Sequence, residues 1–591
     1  MYNSTRMEGE TNINQRRFVV VDYVVMAVML IGCSLIGLYL ALKGKRNADA
    51  ATEYLMGGRN MKVFPIALSL VASFISGITL LGNPTETYLY GTQYMFFPVS
   101  LFFVGFIAGY VYLPVFHDME VASTYHYLEK RYDKNVRLLG SLLFTIALIC
   151  WLPIVIYVPA LAFNHVSGVN VHIITPCLCV VCIFYTALGG LKAVVWTDVI
   201  QTFMMVGAMI IVIVKGISDI GGIDVVWERC WESGRIEFPS LQLDFTTRHS
   251  IYALLIGGIP FWLQSSILNQ NMIQRYMALP NLQDVRRALW IFVAGTIFLI
   301  FICCSSGLVV YSTYYDCDPL TSRMAKAPDQ LLPLMVMRVL GDYSGMPGFF
   351  VAGIFSAALS SLSTGLNSMA AVVLEDFIKP YFPTKLSNRA TDILLKNVVI
   401  LFGGLCIGLV FAVEKLGAVL QLSMSLSAVT SGPAFAIFSA GVLFPWVNGK
   451  GAFYGGLIGI AISSFVVLGT QNEKANGNLK IPMKPVSVEG CNFLFNSTEY
   501  SIPSVPEEPD VFFLFKMSYM WYTIFGAIVT FILSVIISFM TGSTDFTKLD
   551  PLCLSPVIRK HFVEKKRQLL RKNEEELIEV LKNEVENENR L

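Results

Sequence analysis

Pro65-Ile66-Ala67-Leu68-Ser69-Leu70-Val71-Ala72-Ser73-Phe74-Ile75-Ser76-Gly77-Ile78-Thr79, followed closely by Gly82-Asn83-Pro84, is the stretch on which the fold turns. It is apolar enough for the interior of a bilayer, yet its glycines and Pro84 oppose an unbroken helix. A second stretch repeats the pattern five apolar segments later: Gly257-Gly258-Ile259-Pro260-Phe261-Trp262-Leu263-Gln264-Ser265-Ser266, then Asn269-Gln270-Asn271. Unwound backbone at membrane depth exposes carbonyls that hold cations and amides that hold anions, and it is tolerated only around a cavity. Interrupted segments at matching places in two halves therefore point to a binding site between them. A unit of five spans is odd, so its second copy must run inverted. The two halves are expected at about 62–215 and 250–445, with the remaining helices peripheral.

Composition agrees that the solvent is lipid. Of 591 residues 54% are hydrophobic and 14% charged, where soluble domains carry about 25% charged. Lys and Arg (43) balance Asp and Glu (42), which removes the basic surplus a nucleic-acid partner would need. Secreted, disordered and ordinary cytosolic classes are excluded together. The expectation is an all-α membrane protein whose partner is the lipid bilayer.

A span needs about 20 apolar residues. Thirteen candidates meet that test: 18–42, 62–81, 94–116, 136–163, 172–190, 192–215, 250–278, 287–313, 346–371, 391–412, 416–445, 450–470 and 515–541. Basic residues stay cytoplasmic in short loops, and Lys43, Lys45, Arg46, Lys130, Lys134, Arg286, Lys379, Lys385 and Arg389 all fall on one side of that count. This makes 1–17 an extracellular N-terminus, 18–541 the membrane domain and 542–591 a cytoplasmic tail, in a plasma-membrane protein. Arg16 and Arg17 oppose the assignment. Asn496-Ser497-Thr498, a glycosylation sequon in the loop 471–514, then lies outside, as does Asn3-Ser4-Thr5. Cys230, Cys317 and Cys491 share that side, so one disulfide at most forms among them, with the pair left open. The tail beyond 556 runs from basic to acidic, with leucines at helical spacing. It reads either as a helix with its basic half on anionic headgroups or as a solvated segment.

The polar residues within the spans are few. Ser356, Ser360, Ser363 and Asn367 make one stripe along a helix, with Ser361, Thr364 and Ser368 beside it. Such a stripe serves close helix packing or, because a hard cation wants several oxygens, a sodium site. Asp198 lies in the sixth span. It reads as a functional intramembrane carboxylate or as a helix-start residue helped by Lys192 and the dipole. Glu375 and Asp376 are expected to be solvated. No nucleotide loop, nucleophile elbow or zinc helix is present, so the chain is not read as an enzyme.

Several motifs in order resemble one family. Leu55 to Arg59 through Gly91-Thr92-Gln93, Tyr185 to Asp198, Asn269 to Arg275, Asp329 to Pro333, the serine-rich ninth span and Phe444-Pro445-Trp446 look like the sodium:solute symporters. They are most similar to the monocarboxylate, multivitamin and iodide branch. The resemblance implies a LeuT-type five-plus-five inverted repeat, alternating access, sodium as coupling ion and no other cofactor. It implies a sodium site of the Ala72, Ile75 and Ala357 carbonyls with the Ser360 and Ser361 hydroxyls, with Asp198 linked to sodium coupling. Substrate would sit among Thr79, Phe97, Trp262, Ser265 and Ser425. Thr79, Pro98 and Ser425 stand where sugar carriers have amide and acidic residues, and iodide carriers have Gln at the place of Thr79. A small organic anion, a monocarboxylate or vitamin-like carboxylate, is the substrate expected. The alternatives are iodide or another small solute, a passive channel, or a transport-dead sensor on the same scaffold.

Overall fold

The computed structural model describes residues 18–43, 50–121, 123–382, 386–415, 417–479, 481–491, 511–542 and 544–588. Asn3 and Asn496, the sequon positions, lie outside them. The described residues are helical and contain no strand. The long helices are α1 (Val20–Lys43), the pair α2 (Val63–Phe74) and α3 (Gly77–Tyr90), α4 (Thr92–Asp118), α5 (Lys134–Ser167) and α6 (Val171–Ile220). There follow α7 (Ala253–Leu268), α8 (Gln270–Tyr276), α9 (Leu282–Thr313), α10 (Met346–Val372), α11 (Asn388–Lys415), α12 (Gly417–Leu443), α13 (Gly449–Ala475), α14 (Tyr522–Met540) and α15 (Pro556–Glu588).

Local chemistry sets their boundaries. Asp133 starts α5 by accepting from the Asn135 and Val136 amides, and Asn170, Asn281 and Asn448 cap α6, α9 and α13 in the same way. These caps satisfy amides that a helix start leaves without partners. Gly168 and Gly221 end α5 and α6 in the left-handed conformation that favours glycine.

Nine helices among the described residues are long and apolar enough to cross a membrane, and the bent pair α2–α3 makes a tenth. The expected fifth and sixth spans are one 50-residue helix, kinked at Gly190 (φ 54°, ψ −149°). A Cβ at Gly190 would also lie 2.6 Å from the Tyr54 carbonyl, so the kink and the close approach both require glycine. The stretches read as spans at 250–278 and 416–445 give the shorter apolar helices Ala253–Leu268 and Ser427–Leu443.

α10 is the axis of the bundle. Its most apolar window is 94% buried, against 22% for α1, so α10 sees almost no lipid while α1 faces it. α10 lies against α6, α5, α2 and α1. Glycines let neighbours close in: a Cβ on Gly353 would meet Ala208 at 2.7 Å, and one on Gly77 would meet Pro159 at 2.3 Å.

The open disulfide choice resolves to Cys317–Cys491, with Cα atoms 5.1 Å apart. Cys230 is buried beside the Leu308 carbonyl and Ser312 hydroxyl instead. The tail helix is present as α15. It does not hang free at its start: Tyr127 donates to the Cys553 carbonyl, the Ser555 amide to that of Val442, and Arg559 pairs with Asp118 at 2.8 Å. Alkylation of the denatured, unreduced chain should mark ten of its twelve cysteines, and all twelve after reduction. Cys317→Ser should cost about 2–4 kcal/mol of stability, read as a lowered melting temperature in detergent. Twelve labels without reduction would contradict the bridge.

Candidate functional site

The site begins where α2 stops. Ile75 is extended (φ −77°, ψ 110°), Ser76 caps α3, and the axis bends by 60°. The Ser76 Oγ accepts from the Thr79 amide at 3.3 Å while the Ser76 amide donates to Thr79 Oγ1 at 3.4 Å. In a continuous helix those two amides would close onto the Ile75 and Ala72 carbonyls. Their diversion leaves both carbonyls open at the bend.

α10 supplies the facing side. A Cβ at Gly77 would sit 3.5 Å from the Ile354 carbonyl, and Ser73 Oγ bonds Thr364 Oγ1 at 2.8 Å. These two fixed points bracket Ala357, Ser360 and Ser361 opposite the break. The Ser360 and Ser361 hydroxyls are buried; that of Ser361 has no hydrogen-bond partner among the described residues, and that of Ser360 lies within reach of the Asp198 carboxylate. An unmet buried oxygen costs about 1–3 kcal/mol, so the arrangement is poised for a cation with oxygen preference. Among the described residues no cluster of His, Cys, Asp and Glu could hold a transition metal.

Asp198 is not a helix-start residue. It lies within α6, fully buried, and Lys192 pairs with Glu53 instead. Its Oδ2 accepts from Ser69 Oγ at 2.5 Å and faces Arg275 Nη2 at 3.4 Å, and the carboxylate also lies within hydrogen-bonding reach of the Ser360 hydroxyl. Arg275, also fully buried, donates from Nε to Ser69 Oγ (2.7 Å), from Nη1 to the Asn271 carbonyl (2.7 Å) and from Nη2 to Thr364 Oγ1 (2.5 Å). One guanidinium thus joins α2, α6, α8 and α10. Sequence reading missed it as a site residue, although an arginine between apolar runs is itself the signal of an intramembrane function. The expectation for Asp376 also fails. It is buried, accepting from Arg137 Nε at 2.7 Å and Ser123 Oγ at 2.5 Å, and Glu375 is nearly buried beside it. Two helix ends must be held together there, which surface-exposed carboxylates could not do.

The second interruption falls at Asn269 (φ −73°, ψ 133°), which caps α8. Gly257, Gly258 and Pro260, read as part of the break, stay helical because wide turns at Ala253–Gly257 and Gln264–Leu268 absorb the distortion.

Among the expected substrate residues, Phe97 and Trp262 meet directly, with ring centroids 5.1 Å apart. Phe74, at the end of α2, joins them 4.8 Å from Trp262. It too was missed, because an aromatic in an apolar run carries no periodic signal. Trp262 is 1% exposed, and its Nε1 has no partner among the described residues. The structure does not bring every expected residue to this cluster. Thr79 is engaged in the cap with Ser76, Ser265 donates to the Phe261 carbonyl, and the Ser425 side chain lies outside the described residues. The site therefore pairs an oxygen-lined break with an aromatic wall at the junction of two interrupted helices.

The family model for the sodium:solute symporter family matches residues 54–459. Sodium-coupled monocarboxylate transporter 1 of Homo sapiens is 38% identical over 547 residues, covering 90% of this chain and 89% of that one. Sodium-coupled monocarboxylate transporter 2 of Mus musculus is 36% identical, covering 91% and 86%. A solved Na+-coupled sialic acid symporter in a substrate-bound outward-open state superposes with a TM-score of 0.73 at 21% identity, over 89% of this chain and 99% of that chain. That likeness shows a shared LeuT-like fold. By the match of its sequence over most of its length, this membrane chain belongs to the sodium:solute symporter family.

Proposed function

We propose that this symporter uses the sodium gradient to take up a small monocarboxylate by alternating access. The observation that carries the sodium half is the set of oxygens around the break: the Ala72 and Ile75 carbonyls, from which the Ser76–Thr79 cap diverts the helical donors, and the buried Ser360 and Ser361 hydroxyls of the adjoining α10. The Ala357 carbonyl completes the set, and Asp198 on α6 offers a charged oxygen beside Ser360. Substrate sits between Thr79, Phe97, Trp262, Ser265 and Ser425, with its apolar body on the aromatic wall. Its carboxylate is held by the start of α3, the Trp262 Nε1–H and the sodium charge, since the aromatic wall itself brings no cation. The named functions of the relatives at 36–38% identity support a monocarboxylate. Iodide, a passive channel and a transport-dead sensor are the less favoured readings.

The topology proposed has thirteen spans. The kink at Gly190 divides α6 into two, and the shorter apolar helices within α7 and α12 complete two inverted halves, 62–215 and 250–445. The N-terminus is extracellular, Asn496 is glycosylated, and 542–591 is cytoplasmic in the plasma membrane.

Uptake of butyrate, lactate, nicotinate, biotin, pantothenate, iodide and glucose, each with and without sodium, tests the substrate class. Butyrate or lactate should concentrate only with sodium; accumulation of iodide or glucose alone would overturn the proposal. Ser360→Ala combined with Ser361→Ala should reduce sodium-driven uptake to background at equal surface amount, because ligands are lost while the helix gains good formers. Retained sodium dependence would return the serine stripe to packing. Asp198→Asn should raise the half-saturating sodium concentration about tenfold, equivalent to about 1.4 kcal/mol. It also strands Arg275, and an unpaired buried charge is strongly destabilising. Asp198→Asn with Arg275→Gln should therefore recover surface amount without recovering sodium affinity. Recovery of both would make Asp198 a structural counter-ion only.

A further inference from the structure

Each interrupted helix has one half whose near end borders the site and whose far end reaches away from it. α3 carries Thr79 near the break and Glu86 toward its far end. α7 carries Trp262 and Ser265 near its break, and its far end begins at Ser250, whose Oγ accepts from the Ala253 amide. Arg248 lies two residues before that start. Its Nε donates to Glu86 Oε1 at 2.7 Å and its Nη2 to Oε2 at 2.9 Å, a paired fork on a carboxylate.

The pair is enclosed. The Arg248 guanidinium lies 4.2 Å from the Tyr90 ring centre and 5.0 Å from that of Tyr519. Both side chains are mostly buried, at 24% and 18% exposure, so salt screens them less than a surface pair. His249 Nε2 is 3.7 Å from the same carboxylate and 2.9 Å from Tyr519 Oη. Burial, then the Arg248 charge, pull this imidazole down to about 3. It is neutral at physiological pH, and Arg248 is the cation that answers Glu86.

We propose that Glu86 and Arg248 are positioning residues that make the far halves α3 and α7 move as one body, and so make sodium affinity depend on substrate. The inference rests on the reading that substrate lies between Thr79 and Trp262. α3 begins at the sodium break and α7 carries the aromatic wall. Substrate that settles against Trp262 fixes α7; through the Glu86–Arg248 fork it fixes α3, and with it the Ser76–Thr79 cap that holds the Ala72 and Ile75 carbonyls open. The other halves, α2 and α8, are joined separately by Ser69–Arg275 and by the Met61 amide on the Ala278 carbonyl at 3.1 Å. Cutting the fork therefore loosens the far halves while leaving the near clasp in place. Linkage requires the effect to be reciprocal: sodium must tighten substrate by the factor with which substrate tightens sodium.

The test uses the full-length protein in vesicles with butyrate as probe, measuring half-saturating sodium at low and at saturating butyrate. In the unaltered chain butyrate should lower half-saturating sodium by about fivefold or more, the usual range of such coupling. In Glu86→Gln and in Arg248→Met the value should become nearly independent of butyrate at equal surface amount. Glu86→Gln with Arg248→Met should be no worse than either single change, as for two residues of one interaction, and Arg248→Lys should restore part of the coupling by restoring the charge. Intact dependence in the single variants, or additive losses in the double, would overturn the proposal; a purely structural role would lower surface amount without erasing the dependence. Trp262→Ala in parallel separates the two readings. If the substrate site is wrong, its half-saturating butyrate stays unchanged; if only the fork is wrong, that value rises while Glu86→Gln keeps its coupling.

Discussion

The reciprocal exchange between Ser76 and Thr79 is the interaction on which the site depends. Two amides and two hydroxyl oxygens satisfy one another at the start of α3, and in doing so withdraw the donors that would have sealed the Ala72 and Ile75 carbonyls. In a surface loop water would replace those donors at little cost. Inside a bundle each open carbonyl is a penalty of about 1–3 kcal/mol until something positive reaches it. The break is thus a local sequence property, a serine two residues beyond the end of α2, that on the proposed reading supplies the backbone oxygens of the cation site. The serines of the adjoining α10 bring two buried hydroxyls, one of them beside the Asp198 carboxylate.

Arg275 and Asp198 answer a different problem. An ionised carboxylate in the bundle interior is costly, and its cost is offset only by a partner with good geometry. Arg275 supplies the opposite charge and reaches Ser69, Thr364 and the Asn271 carbonyl besides, so its donors are used on both sides. The pair is neutral overall while the carboxylate also reaches the Ser360 hydroxyl of α10. On the proposed sodium reading, a cation arriving nearby would be held by a set of dipoles and one compensated carboxylate rather than by a bare negative charge. That is a moderate well, and an ion that must leave again on the other side needs a moderate well.

The bent pair α2–α3 was legible because Ser, Gly and Pro within an apolar run have no other local explanation, and the serine stripe was legible because a helix repeats every 3.6 residues. Asp198 could be singled out, but its partner could not: Arg275 is 77 residues away in sequence, and no periodicity links α6 to α8. The position of the second interruption was misread for a related reason. Gly257, Gly258 and Pro260 look like a break by composition, yet wide helical turns accommodate them and the chain opens at Asn269 instead. Phe74 and the Cys317–Cys491 choice likewise depended on which elements meet in space.

The first helix lies outside the inferred repeat, and its sequence suggested nothing beyond a peripheral span. Its Asp22 nevertheless accepts the amides of Gly345 and Gly348 at 3.0 and 2.9 Å, serving as the missing cap for the start of α10. Gly345 is left-handed (φ 88°), and a Cβ on Gly348 would sit 2.5 Å from the Asp22 backbone, so the contact admits no side chain at either place. A carboxylate at a helix start is favoured by the dipole as well as by the two bonds. The same α10 carries Ser360 and Ser361 further along. Because a helix is stiff along its axis, fixing its first turn fixes the height of those hydroxyls against the break in α2. The span whose apolar window is least buried is therefore one of the supports that hold the proposed sodium ligands of α10 in register.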